Sequence, residues 1–193
     1  MKRIKIGLLA SLAIASSSAN AGLVNVSEIL IKNSQPTYIQ ISEVVATETG
    51  SGNDLALASA GATAFGSGTW SSTSSPDKAI DGLGPLDYPN MYHSDGSGSD
   101  EFLKIVLASA SELDSLTLFG RTGCCSSRDV FDVFMYGNTG DLLFSGQNYS
   151  AANTSHSVTI DLPDTSVSVP EPASLALIGL GLAGIGFARR RKA

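Results

Sequence analysis

Basic residues are scarce where the chain is longest. Of the 12 Lys and Arg in 193 residues, Lys2, Arg3, Lys5, Arg189, Arg190, Arg191 and Lys192 sit at the two ends. Only Lys32, Lys78, Lys104, Arg121 and Arg128 remain between 22 and 169, against 17 acidic residues, which leaves that span near −12. Such a surface repels nucleic acid and anionic lipid headgroups, so nucleic-acid binding is excluded, while a divalent cation or a neutral ligand suits it. Cysteine is almost missing: Cys124 and Cys125 are adjacent and alone, so no disulfide framework exists, and the pair is not the Cys-x-x-Cys of a redox site. Helical periodicity is missing too, because no window of about 11 residues repeats at 3.6 between the ends. No paired-acid or nucleophile motif stands out, which speaks against a hydrolase. The acidic Asp95–Asp100 stretch lacks EF-hand spacing and reads as a loop.

What is present begins at the ends. Lys2, Arg3 and Lys5 precede an apolar run from Ile6 to Ala15 and an Ala19-Asn20-Ala21 cleavage pattern. Residues 1–21 therefore read as a signal peptide, with Gly22 as the new N-terminus; the ten apolar residues are too few to span as an anchor. At the other end Pro170-Glu171-Pro172 is followed by an apolar run over 173–188 and then Arg189-Arg190-Arg191-Lys192. As a helix that run would be about 24 Å long, near the lower limit for crossing a bilayer, with its basic cluster kept on the cytoplasmic side. These parts, in this order, resemble the PEP-CTERM sorting tail of bacterial exported proteins. The resemblance implies an exosortase that recognises and cuts near Pro170, Glu171 and Pro172. It also implies residence in the inner membrane during sorting, then at the cell surface or in the extracellular matrix. An ordinary C-terminal anchor is the alternative.

Between the ends the pattern is β. The segments 38–45, 102–107, 116–119, 130–136, 142–144 and 158–162 are short, rich in β-branched and aromatic residues, and separated by Gly, Ser, Asp and Asn. Asn138-Thr139-Gly140-Asp141 reads as a hairpin turn. The expected organisation is one all-β domain over 22–162, a jelly-roll-type β-sandwich, then a linker over 163–168 and the tail over 169–193.

Arg121-Thr122-Gly123-Cys124-Cys125-Ser126-Ser127-Arg128 holds two of the interior's five basic residues and both cysteines. In an oxidising compartment Cys124 and Cys125 are expected to pair, with free thiols or an intermolecular bridge as alternatives. Adjacent Cα atoms lie only about 3.8 Å apart, below the usual disulfide range, so a vicinal bond would add little stability and serve instead as a rigid apolar plate. His93, separated from Arg121 by 27 intervening residues, completes a pattern. It resembles the His…Arg-x-Asp-Cys-Cys-x-x-Arg motif of the fucose-binding F-type lectins, galactose-binding-like sandwiches akin to discoidin domains. The resemblance implies that His93, Arg121 and Arg128 hydrogen-bond a fucose-like glycan while Cys124 and Cys125 pack on its apolar face. The motif's Asp is Gly123 here, which removes a carboxylate that would orient the arginines. Trp70, Tyr88 and Tyr92 could add aromatic faces.

Ala79-Ile80-Asp81-Gly82 resembles the same family's cation-binding turn. The resemblance implies a structural Ca2+ held by Asp81, the carbonyls of Lys78 and Leu83, and Asn90. The segment around Glu43 resembles the family's last strand, which implies that Glu43 takes the place of its ligand Glu in a circularly permuted arrangement. The expected function is carbohydrate binding by an exported, surface-sorted protein that is not an enzyme. The alternative is a matrix protein of the same fold without sugar binding.

Overall fold

The computed structural model describes residues 22–165; the predicted signal peptide, the sorting motif and the predicted span 173–188 lie outside the described residues. Nine strands form there: β1 Leu23–Asn33, β2 Gln40–Ile41, β3 Glu43–Glu48, β4 Thr63–Gly66, β5 Tyr92–His93, β6 Phe102–Phe119, β7 Val130–Gly137, β8 Leu142–Ser150 and β9 Ser157–Asp161. Three short 3₁₀ turns are the only helical pieces among the described residues, consistent with an all-β sandwich. None of the helices there is long and apolar enough to cross a membrane.

β6 belongs to both halves of the sheet. Its first part pairs with β1 and β4, and β1 continues the order through β7 to β8. Its last part pairs with β3 and β9. Between them, five steps of β6 (Val106 to Ser111) face two of β1 (Glu28 to Val26), and Ala108, Ser109 and Ala110 are exposed. Both ends of β6 return to one end of the molecule. Phe102 faces Lys32, and the Arg121 amide just past the strand donates to Asp129, beside the Val130 carbonyl that takes the Ser34 amide.

Alternation explains the core. In β7, Phe131, Val133 and Met135 are buried, while Asp132, Phe134 and Tyr136 are half-buried. They join Ile29, Ile31, Leu103, Ile105, Leu116 and Leu118 in one apolar cluster, each burial being worth about 1.5–3 kcal/mol.

Several segments differ from the sequence expectation. β1, the strand between β6 and β7, was not among the expected strands, nor were the short β4 and β5, and β8 runs past the expected 142–144 to Ser150. Its buried residues run Leu23, Val26, Ile29, Ile31 and Asn33, because register breaks on either side of Val26, with Asn25 at φ 65°, shift the parity twice. The expected strand 38–45 is cut at Ser42, whose amide donates to the Phe119 carbonyl and whose hydroxyl accepts the Leu86 amide. The segments 102–107 and 116–119 are parts of one strand. The expected hairpin at 138–141 is present, closed by the Gly137 amide on the Asp141 carbonyl at 2.9 Å.

The two ends of the fold differ. One gathers the loops 34–39, 67–75, 81–91 and 120–129. The other gathers Gly22, the 137–141 turn and Thr165, whose amide donates to the Gly22 carbonyl at 3.2 Å. From Val26 to Asn33, β1 spans about 23 Å between them.

Candidate ligand-binding site

The short β2–β5 ladder sets Gln40 opposite His93 and Ile41 opposite Tyr92. The His93 carbonyl accepts the Trp70 amide at 2.9 Å, and its amide donates to Ser74 at 3.1 Å, which ties the 67–75 loop to the same spot. The arginine loop is closed by Asp129, whose Oδ2 accepts the Arg121 amide at 2.9 Å. Within that loop Cys125 adopts a left-handed conformation (φ 72°), and the Arg128 amide then returns to the Cys125 carbonyl at 3.0 Å.

These ties bring His93, Arg121 and Arg128 together with three aromatic rings. Tyr38 lies 5.2 Å from the His93 ring, Trp70 5.6 Å and Tyr88 6.1 Å, centroid to centroid. The Arg121 guanidinium sits 5.9 Å from the Tyr88 ring and that of Arg128 6.0 Å from Tyr38. Trp70 and Tyr88 keep 55% and 39% of their surface open, so their faces remain available. Tyr92 does not contribute a face: it is fully buried, with its hydroxyl on the carbonyls of Gly68 and Phe102.

His93 is only 7% exposed, and both ring nitrogens are engaged within the protein. Nδ1 donates to the Ser94 carbonyl at 2.7 Å, which leaves Nε2 to accept from the Gln40 amide at 2.9 Å. Burial lowers its pKa below the ordinary value; the Ser94 carbonyl opposes that, and the charges of Arg121 and Arg128 add to the lowering. The ring is neutral at pH 7 and presents a face, with no nitrogen left over for a ligand.

The two arginines are unlike. Arg121 Nε donates to Asp87 Oδ1 at 2.5 Å, whereas Arg128 has no ion-pair partner among the described residues. Asp129 takes a backbone amide, and Asp132 is occupied by the Ser34 hydroxyl and the Asn148 amide. Partial burial would raise Asp87, but the Arg121 hydrogen bond, the Tyr88 amide and the Arg121 charge hold its carboxyl below the ordinary value. Asp129 is fully buried and pushed up to about 7 by that burial, against the Arg121 amide and both guanidinium charges.

Cys124 and Cys125 stand as free thiols in this structure, Cys124 exposed and Cys125 half-buried, so the expected disulfide between them is not formed here. With neighbouring Cα atoms about 3.8 Å apart, bonding would force a strained ring. A hydrogen bond with the Cys125 side chain raises the exposed Cys124 thiol above its ordinary pKa, so it is not an activated nucleophile.

The residues expected to hold a cation come together in part. Glu43, at the start of β3, is 3% exposed, and its Oε2 accepts the amides of Gly82, Leu83 and Gly84 at 3.1, 3.1 and 3.2 Å. Its Oε1 is buried with no donor. Burial, then the Asp81 charge, push Glu43 up to about 7 although the three amides pull the other way. Asp81 accepts the Leu83 amide at 3.0 Å and faces the Lys78 ammonium at 3.6 Å. Asn90 is exposed, with its backbone N–H on the Asp87 carbonyl at 2.9 Å. Among the described residues no cluster of three or more His, Cys, Asp or Glu could hold a metal. The orphaned Glu43 Oε1 beside a second carboxylate nevertheless fits a hard cation that would draw on Glu43, Asp81 and backbone oxygens.

Asp87, Gln40 and Tyr38 were not legible as site residues. Asp87 meets Arg121 across 34 positions, and no local spacing announces such a contact.

Residues 168–192 match the PEP-CTERM protein-sorting motif. No family model matches the β domain, and no curated protein or solved structure matches the chain. The motif is the exosortase recognition signal, so the chain carries the mark of an exported protein that is anchored in the membrane for sorting and passed on to the surface.

Proposed function

We propose that the loop end of the exported domain is a carbohydrate-binding site for a neutral, fucose-like glycan. The observation that carries this reading is the convergence of Arg121 and Arg128 with the rings of Tyr38, Trp70, Tyr88 and His93 from five separate segments. Aromatic faces take the C–H face of a sugar, and guanidinium forks donate to hydroxyls without requiring an anionic ligand. His93 serves as a wall and as a strut for the Trp70 loop. The likeness to galactose-binding-like sandwiches and the permuted position of Glu43 belong to this reading, as does a structural Ca2+ at Glu43 and Asp81. The protein acts by binding, not as an enzyme.

A glycan array with the wild-type chain and an Arg121→Ala, Arg128→Ala double mutant tests this. Selective binding that the mutant loses supports it; a blank array for a folded wild type removes it. The second reading, a matrix protein of the same fold without a sugar site, is favoured by the engagement of both His93 nitrogens within the protein.

A further inference from the structure

Gly123 is a glycine for reasons of space rather than conformation. Its φ is not among the positive values that favour glycine. A Cβ built there would lie 1.9 Å from Asp87 Oδ2 and 2.5 Å from Asp87 Cγ, far inside contact distance. The volume that a side chain at 123 would fill is already occupied by a carboxylate from another loop.

That carboxylate has one salt-bridge partner. Asp87 Oδ1 accepts Arg121 Nε at 2.5 Å and also the Tyr88 amide at 2.7 Å. The Asp87 side chain is 44% exposed, whereas that of Arg121 is 16% exposed, so the arginine is the more enclosed member. Tyr88, the next residue, places its ring 5.9 Å from the same guanidinium. Two consecutive residues thus hold Arg121 by its edge and by its face. Holding Nε leaves the four Nη hydrogens of the fork for a ligand.

We propose that Asp87 is the positioning residue of the site, fixing the direction of the Arg121 fork from the space that Gly123 leaves open. In the motif that this loop resembles, a carboxylate stands at the position of Gly123; here the same group arrives from the 81–91 loop. The clamp stands on geometry alone, and only its consequence for affinity rests on the carbohydrate-binding reading.

The test uses the full-length chain in detergent micelles and two readouts. The first is the ¹⁵N–¹H signal of Arg121 Nε. The wild type should show it slowly exchanging at pH 7, while Asp87→Asn and Gly123→Ala lose it. The reciprocal pair Asp87→Gly with Gly123→Asp should restore it. The second readout is binding of a multivalent α-L-fucoside conjugate, which should weaken about tenfold or more in Asp87→Asn and recover in the reciprocal pair. An Arg121 Nε signal that persists in Asp87→Asn overturns the proposal, as does a reciprocal pair that folds without restoring it. If the signal follows the expected pattern but the wild type ignores the conjugate, the clamp stands and the fucose-like reading falls.

Discussion

Two loops at the same end of the fold are each tied down by one buried carboxylate, and the two carboxylates face opposite company. Glu43 receives three amides of the 82–84 turn and has Asp81 as its charged neighbour. Asp129 receives the Arg121 amide and is bordered by Arg121 and Arg128. Both are pushed up to about 7, and both keep one buried oxygen without a donor. One loop sets two carboxylates against the single ammonium of Lys78, and the other sets one carboxylate against two guanidinium groups. A cation has something to add at Glu43 and little to add at Asp129.

The comparison breaks most visibly when the carboxylates are removed. At pH 4, where neither folded carboxyl is ionised, Glu43→Ala leaves three amides without their acceptor and should cost about 2–3 kcal/mol; Asp129→Ala strands one amide and should cost about 1–2 kcal/mol. Thermal midpoints should fall in that order, and an equal or inverted order would mean that the 82–84 turn is held by something else.

Isosteric amides sharpen it. A carboxyl whose pKa is raised on folding adds stability at low pH and loses it as pH rises through the folded value, here about 7 for both groups. The midpoint should climb as pH falls from 8 towards the ordinary carboxylate range near 4.5, where the unfolded chain protonates too. Below about 6.5 His93, held neutral by burial, takes a proton more readily in the unfolded chain and offsets part of the climb, one group against two. Glu43→Gln and Asp129→Asn should each flatten part of the climb, gaining up to about 3 kcal/mol at pH 8 and almost nothing at pH 3.5, below both ordinary carboxyl values.

Calcium separates the two loops. Added Ca2+ should raise the wild-type midpoint at pH 8 by several degrees and at pH 5 hardly at all, because the ligand must be ionised. Asp129→Asn should keep that response and Glu43→Gln should lose it. No response in the wild type would remove calcium from the 82–84 turn. The smallest effect belongs to the cysteines: Cys124→Ser with Cys125→Ser should move the midpoint by less than about 1 °C, since two neighbouring free thiols close no loop.

Much of this was written locally in the chain. The alternation of 130–136 and the Asn138–Asp141 turn specify β7, its hairpin and its buried face without help from elsewhere. The spacing of His93, Arg121 and Arg128 picked out three residues that the fold does gather. What escaped depended on distant partners. β1 hides its periodicity because Asn25 and its neighbours bulge against β6, so its buried positions follow neither a period of 2 nor one of 3.6. Asp87 has no signature, since its role exists only once the 81–91 loop meets Arg121.

Thr165 and Gly22 meet at the end of the sandwich remote from the arginines, and the sorting motif begins three residues further on. The described chain thus leaves the domain towards the sorting motif at its base, away from the arginine end. About 23 Å of strand separates the two, close to three Debye lengths at physiological salt. A charged surface lying against the base would be screened before its field reached the arginine loops, so processing at the sorting motif would act on where the protein resides and leave the proposed site as it is.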